Sequence, residues 1–146
     1  MTGNIRVVAL AIILRPSDGA LLAQCIPEQG RVPFYRPCGG GVEFGEHSID
    51  AVRREIMEEL GLPVIPERLL GVVENHFVFQ DRRGHEIMFC WLCHFEDASA
   101  YDRDVFVVNE GENLLFEAHW VHPAELARQG TALYPVEVVG LLEHAR

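Results

Sequence analysis

Three glutamates, Glu55, Glu58 and Glu59, stand at i, i+3 and i+4 within the stretch RREIMEELG. On a helix surface each like-charged pair at these spacings costs about 0.2–0.5 kcal/mol. Such crowding fits either a face bathed in water or a face that holds a cation. At about 100° per residue, the three carboxylates share an arc of about 100°, distinct from the apolar stripe of Ile49, Val52, Ile56 and Leu60. Arg54 lies on the shoulder of the acidic arc, able to orient or partly neutralise one of the three. Just upstream is Gly39-Gly40-Gly41. Glycine leaves backbone oxygens and amides unshielded, so this loop can bring a carbonyl towards the cation that the helix carboxylates hold. Hard oxygen ligands of this kind suit Mg²⁺, with Mn²⁺ as the alternative. Acidic helix faces and glycine turns are each common without any ion. The fixed register between them is what points to a site.

That register, Gly40-x5-Glu46-x7-Arg54-Glu55-Ile56-x-Glu58-Glu59-x-Gly61-Leu62, resembles a complete Nudix box at residues 40–62. The resemblance extends over most of the chain, from the strands before the box to EAHWVHPAEL near the end. It implies an α+β fold, a Nudix-type α/β/α sandwich with a mixed β-sheet. The implied activity is divalent-metal-dependent hydrolysis of a phosphoanhydride bond in a nucleoside diphosphate linked to another moiety. The alternative is a catalytically silent Nudix-fold domain that binds a nucleotide, although such domains usually have an eroded box. By the same resemblance Glu55, Glu58 and Glu59 are the metal-binding and catalytic carboxylates, and the Gly39 carbonyl is a backbone metal ligand. Arg54 orients a catalytic glutamate, Glu46 holds a structural or electrostatic position, and Gly40 and Gly61 are the loop and helix-end glycines. The family includes homodimers, and one is compatible with this sequence.

Outside the box, Glu74 and Glu86 are candidate further carboxylates, with solvent-facing strand ends as the plainer reading. Arg36 has the bidentate fork that suits a substrate phosphate, with an exposed salt bridge as the equal alternative. Phe34, Tyr35 and Phe77 can stack on a base or simply fill core. For His76 and His85 the plain reading is a hairpin surface, and for Glu110 and Glu112 a solvated loop. Cys38, where the family more often has an apolar residue or proline, raises the question of sensitivity to oxidation.

The elements that must position these residues read as follows. Residues 4–14 and 20–26, separated by RPSDG, suggest a hairpin. Residues 27–41, rich in Gly and Pro, suggest loop, and 47–60 a helix ended by Gly61 with Pro63 beyond. Residues 69–79 and 86–95 suggest a second hairpin, 101–113 a loop with a short strand at VFVV, and 116–121 a strand. PAELARQG and PVEVVGLLEHA suggest short helices. The CWLC pair at 90–93 has chelating spacing, but on a strand residues three apart face opposite ways.

At 146 residues, with 49% hydrophobic and 23% charged residues, the sequence is expected to form a single domain over 1–146. A formal net charge of −10 argues against general nucleic-acid or anionic-membrane binding. A small nucleotide-diphosphate substrate remains compatible, because a bound cation inverts the local field. The apolar run VVALAIIL is too short to span a membrane. Four cysteines do not form a disulfide framework in a chain of this size, and a cytoplasmic location is expected.

Overall fold

The apolar run after Arg6 becomes β1 (Ile5–Ile13), buried at every position from Val8 to Ile13. This computed structural model describes residues 3–145. Burial on both faces requires a central strand, and the next strand, β2 (Leu21–Glu28), has the same requirement over Leu21–Ala23. The two strands therefore cannot serve as a simple hairpin with one wet face. They lie in different sheets, with the isolated bridge Leu14↔Leu21 between them where the chain turns. RPSDG does turn the chain, but it hands it from one sheet to the other.

The stretch expected to be loop holds two further strands, β3 (Arg31–Pro37) and β4 (Gly39–Gly41). Pro33 and Pro37 obscure β3 in the sequence, and the structure reconciles them by placing it at a sheet edge. Then come α1 (Ser48–Leu60), β5 (Val64–Phe79) and β6 (Arg82–Phe95). The second expected hairpin is thus present and longer than its apolar runs. A 3-10 turn (Ala98–Asp102) leads to β7 (Val105–Asn109), β8 (Leu115–Val121), α2 (Pro123–Arg128) and α3 (Val138–Glu143).

One sheet has the order β4-β1-β6-β5 and is mixed, since β1 and β6 run parallel while the other pairs are antiparallel. The other is antiparallel with the order β3-β2-β8-β7. Alternate residues of β1 feed two cores. Ala9, Ala11 and Ile13 pack with Ala51, Val52 and Ile56 of α1 and with Phe106 of β7. Val8, Leu10 and Ile12 pack with Met88 and Cys90 of β6 and with Leu126, Val138 and Leu142 of the last two helices. Sheets flanked on two sides by helices make the expected α/β/α layering. Cys90 and Cys93 fall in opposite cores, are free and are buried, as strand alternation requires. Among the described residues, no helix is long and apolar enough to cross a membrane.

Candidate functional site

The helix α1 is anchored by Ala51, Val52 and Ile56 and ends on Gly61 in the left-handed region, with φ 69°. The Gly61 amide donates to the Met57 carbonyl. That anchoring lays the glutamates against β4. The close approach explains two glycines. A Cβ on Gly39 would lie 2.1 Å from the Ala9 carbonyl oxygen, and one on Gly40 would lie 2.3 Å from the Glu55 carboxylate. Gly39 has no room for a side chain against the β1 backbone, and a side chain at Gly40 would displace the Glu55 carboxylate.

The carboxylates divide into three environments. Glu58 is exposed, with 58% of its side chain accessible. Glu55 is partly buried, and burial raises its carboxyl above the ordinary range against the opposing pull of Arg54. Glu59 was expected on a solvent-facing arc, but only 5% of it is exposed. Its Oε1 accepts from the Gly39 amide at 3.1 Å. Burial, reinforced by the neighbouring Glu110, pushes the Glu59 carboxyl up to about 9.

Arg54 organises the group. Its Nε donates to Glu46 Oε2 at 2.8 Å and its Nη2 to Glu46 Oε1 and the Gly41 carbonyl, both at 2.9 Å. Its Nη1 donates to Glu55 Oε1 at 2.9 Å and to Glu58 Oε1 at 3.3 Å. One planar fork thus ties the loop to two of the three helix glutamates. Glu46, paired in this way, is held down to about 2. Its side chain serves the arginine and the Glu43 amide, which donates to it at 3.1 Å.

Glu110 corrects an expectation. The loop after β7 turns back on the site, where Gln24 Nε2 donates to Glu110 Oε1 at 2.8 Å and Glu110 stands beside Glu59. Gln24, 2% exposed, lies on the central strand β2. No spacing in NEGEN signals this role, because the register that brings residue 110 to residue 59 is set by β2, β7 and β8.

The remaining candidates separate clearly. Arg36 lines a cleft of about 380 Å³ between the two sheets. Its Nε is buried without a hydrogen-bond partner, and its charge favours the ionised form of Glu59. Glu86 lines the same cleft and is 5% exposed, so the solvent-facing reading fails for it. Its Oε2 accepts from Arg6 Nη1 at 3.3 Å. Glu74 is an exposed residue bonded to His85 Nε2 at 2.8 Å, with His76 stacked on His85 at 4.0 Å between centroids. It occupies the sheet face opposite to Glu86. Phe34 and Phe77 line the cleft. Tyr35 instead bonds through its hydroxyl to His119 Nδ1 at 2.8 Å. Cys38 is buried, and burial raises its thiol far above the ordinary range. A protonated, enclosed thiol is the opposite of a reactive one.

Chemically, the β4 edge gathers carboxylates that repel one another and are partly desolvated, a set of oxygen donors suited to a hard divalent cation. The sequence profile of the NUDIX domain matches residues 4–139. The human 8-oxo-dGDP phosphatase NUDT18 is 39% identical over 84 residues, which are 54% of this chain and 26% of that relative. The chain thus spans only about a quarter of NUDT18. The nucleoside triphosphatase NudI of Escherichia fergusonii is 34% identical over 118 residues, covering 77% of this chain and 79% of NudI. A NUDIX hydrolase structure from Nitrosomonas europaea superposes with a TM-score of 0.61 at 24% identity, covering 97% of this chain and 90% of that one. This last likeness is one of fold.

Proposed function

This chain belongs to the Nudix hydrolase family, and from that premise we propose that it hydrolyses a phosphoanhydride bond of a nucleoside diphosphate derivative with the help of divalent cations. The observation that carries the reading is the convergence of Glu55 and Glu59 on the glycine strand, with Glu58 tied to Glu55 through Arg54 and Glu110 added from a distant loop. A carboxyl that burial, with Glu110 beside it, pushes up to about 9 suits a site completed by positive charge.

In this proposal Glu55, Glu58 and Glu59, with the Gly39 backbone beside them, hold Mg²⁺ or Mn²⁺. The bound ion would neutralise phosphate oxygens and lower the pKa of the attacking water. Arg54 is a positioning residue: it fixes Glu55 and Glu58 relative to the loop through Glu46 and Gly41. Glu59 and Glu110, lying together, provide a place for the proton that the water releases. Arg36, whose buried Nε lacks a protein partner, supplies a donor for a substrate phosphate at the inner end of the cleft. The reading treats residues 1–146 as one domain acting on a small cytoplasmic nucleotide, with the net charge of −10 disfavouring nucleic acid as the ligand.

A panel of nucleoside triphosphates, nucleotide sugars, ADP-ribose and dinucleoside polyphosphates, incubated with Mg²⁺ or Mn²⁺ and resolved by chromatography, tests the proposal. Metal-dependent cleavage of at least one anhydride is the expected result. Nucleotide binding without cleavage anywhere in the panel would favour the silent-domain alternative.

A further inference from the structure

The face of the β5–β6 hairpin turned away from Glu86 carries side chains that the proposed hydrolysis does not use. His76 of β5 and His85 of β6 are direct cross-strand partners, so their rings stand on one face. The ring centroids are 4.0 Å apart, with 31° between the planes. Glu74 lies two residues before His76 on the same face, and its Oε2 is 2.8 Å from His85 Nε2. Among the described residues, Glu74, His76 and His85 are the one group of three histidine, cysteine or carboxylate side chains whose ligand atoms all lie within 4.8 Å of one another. A surface hydrogen bond accounts for Glu74 and His85 alone. The second imidazole, stacked on the first, completes a donor set.

That set differs in chemistry from the β4 edge. Two imidazoles and a carboxylate suit Zn²⁺, which takes three protein ligands and leaves a fourth position for water. The β4 edge offers oxygens only, which suit harder ions. A tetrahedral Zn²⁺ about 2.0–2.1 Å from each ligand holds them about 3.4 Å apart, so atoms already within 4.8 Å need only modest side-chain rotations. Glu74 and His76 are exposed and His85 is half-buried, which leaves those rotations free. The backbone beneath is fixed, because strand pairing runs unbroken from Gly71↔Cys90 to Phe79↔Arg82. Arg83 shares this face, but it is exposed and its long stem lets the charge swing into water.

The two places are also well apart. Gly40 of β4, Ala9 of β1 and Phe89 of β6 lie in one row across the mixed sheet. His85 is four residues along β6 from that row, about 13 Å. From β6 to β4 is a further two strand spacings, about 10 Å. One ion cannot serve both.

We propose that Glu74, His76 and His85 form a Zn²⁺ site that pins the edge strand β5 to β6 near the end of the hairpin, separate from the carboxylate edge. Each imidazole gives the lone pair of one neutral ring nitrogen, and the carboxylate gives one oxygen. Binding replaces the Glu74–His85 hydrogen bond with two metal–ligand bonds and recruits His76 as the third ligand. No substrate takes part, so the site stands or falls independently of the hydrolase reading.

The test is a calorimetric titration of Zn²⁺ into wild type, His76→Ala, His85→Ala and Glu58→Gln, with excess Mg²⁺ present to occupy the β4 edge. Thermal unfolding checks that each variant folds, and the imidazole nitrogen resonances of wild type are followed by NMR. Wild type and Glu58→Gln are expected to bind one Zn²⁺ with equal affinity. Each histidine variant should bind it at least about tenfold more weakly, since even the partners of metal ligands are worth that much. Of the seven histidines, His76 and His85 should show the Zn²⁺-dependent ring shifts, a readout that needs no variant to fold. Zn²⁺ should also raise the unfolding midpoint of wild type more than that of His76→Ala. Equal Zn²⁺ affinity in wild type and both histidine variants would overturn the proposal, as would ring shifts confined to other histidines. Loss of Zn²⁺ binding in Glu58→Gln would overturn it too, by placing the ion at the β4 edge.

Discussion

The carboxylate edge at β4 and α1 and the cleft between the sheets are neighbours joined by Arg6 and Arg36, yet they are built in opposite ways. The edge comes almost entirely from residues 39–61, a strand, a loop and one helix turned back on it. Its charges are crowded and tied together by one arginine, with five hydrogen bonds at 3.3 Å or less from the Arg54 guanidinium. The cleft draws on residues from Leu10 to Pro135 and sets aromatic and aliphatic side chains beside charged and polar ones, among which the buried Arg36 Nε lacks a partner. The contrast separates two tasks: a locally encoded unit suited to chemistry at phosphorus, and a globally assembled surface suited to choosing what the phosphorus is attached to. Changes at the edge should lower turnover for every substrate alike, while changes in the cleft should redistribute it among substrates.

The largest effect should come from Glu58→Gln and Glu59→Gln, each expected to lower kcat by about 10²–10⁴-fold across all substrates. Unfolding midpoints should stay near the wild-type value, since the replacements are nearly isosteric. Steady-state kinetics on two unrelated substrates would break the comparison if the loss fell on one of them only. Next, Arg54→Ala is expected to cost about 10²-fold in kcat, and Arg54→Lys should rescue little, because a point charge cannot span Glu46, Glu55 and the Gly41 carbonyl together. A full rescue by lysine would reduce Arg54 to a bulk charge.

A smaller change, about tenfold in kcat, is expected for Glu110→Gln. It should also make Glu59 easier to ionise, because one of the causes holding its carboxyl up is removed. The smallest effect concerns stability in chelator. The Glu59 carboxyl stands at about 9 against an ordinary 4.5, so the folded state binds the proton more tightly. This contribution is full below pH 4.5 and is lost as pH rises towards 9. Metal-free wild type should therefore lose part of its stability between neutral pH and pH 9, Glu59→Gln should lose less, and added Mg²⁺ should offset the loss. Thermal melts across that range, identical for both proteins, would remove Glu59 as the source.

The same contrast explains what could be read from sequence. The helix, its apolar anchor and its glutamates were legible because all of that information lies within the 13 residues of α1. Glu59 is the partial exception, since the helical wheel puts it at the edge of the acidic arc, about 20° from Val52, and the approach of β4 encloses it. Glu110 and Gln24 were missed because their meeting depends on the register of β2, β7 and β8. Glu86 looked like a strand-end charge, and only its pairing with Asn75 beneath the second sheet shows it buried. The supposed first hairpin failed for a related reason: turn residues predict that the chain reverses, not which partner the next strand meets. RPSDG reverses the chain between sheets. Pro33 and Pro37 hid β3, since proline is tolerated at the sheet edge it occupies.

The central claim is that the β4 edge is a cation-dependent hydrolytic centre. It is tested most directly by stripping the protein with chelator and adding back Mg²⁺ or Mn²⁺ while product release is followed in wild type, Glu58→Gln and Glu59→Gln. Turnover that is absent in chelator, returns with metal in wild type, and stays at least about a hundredfold lower in both variants is the expected result. Undiminished turnover in chelator, or recovery to the wild-type rate in both variants, would contradict it.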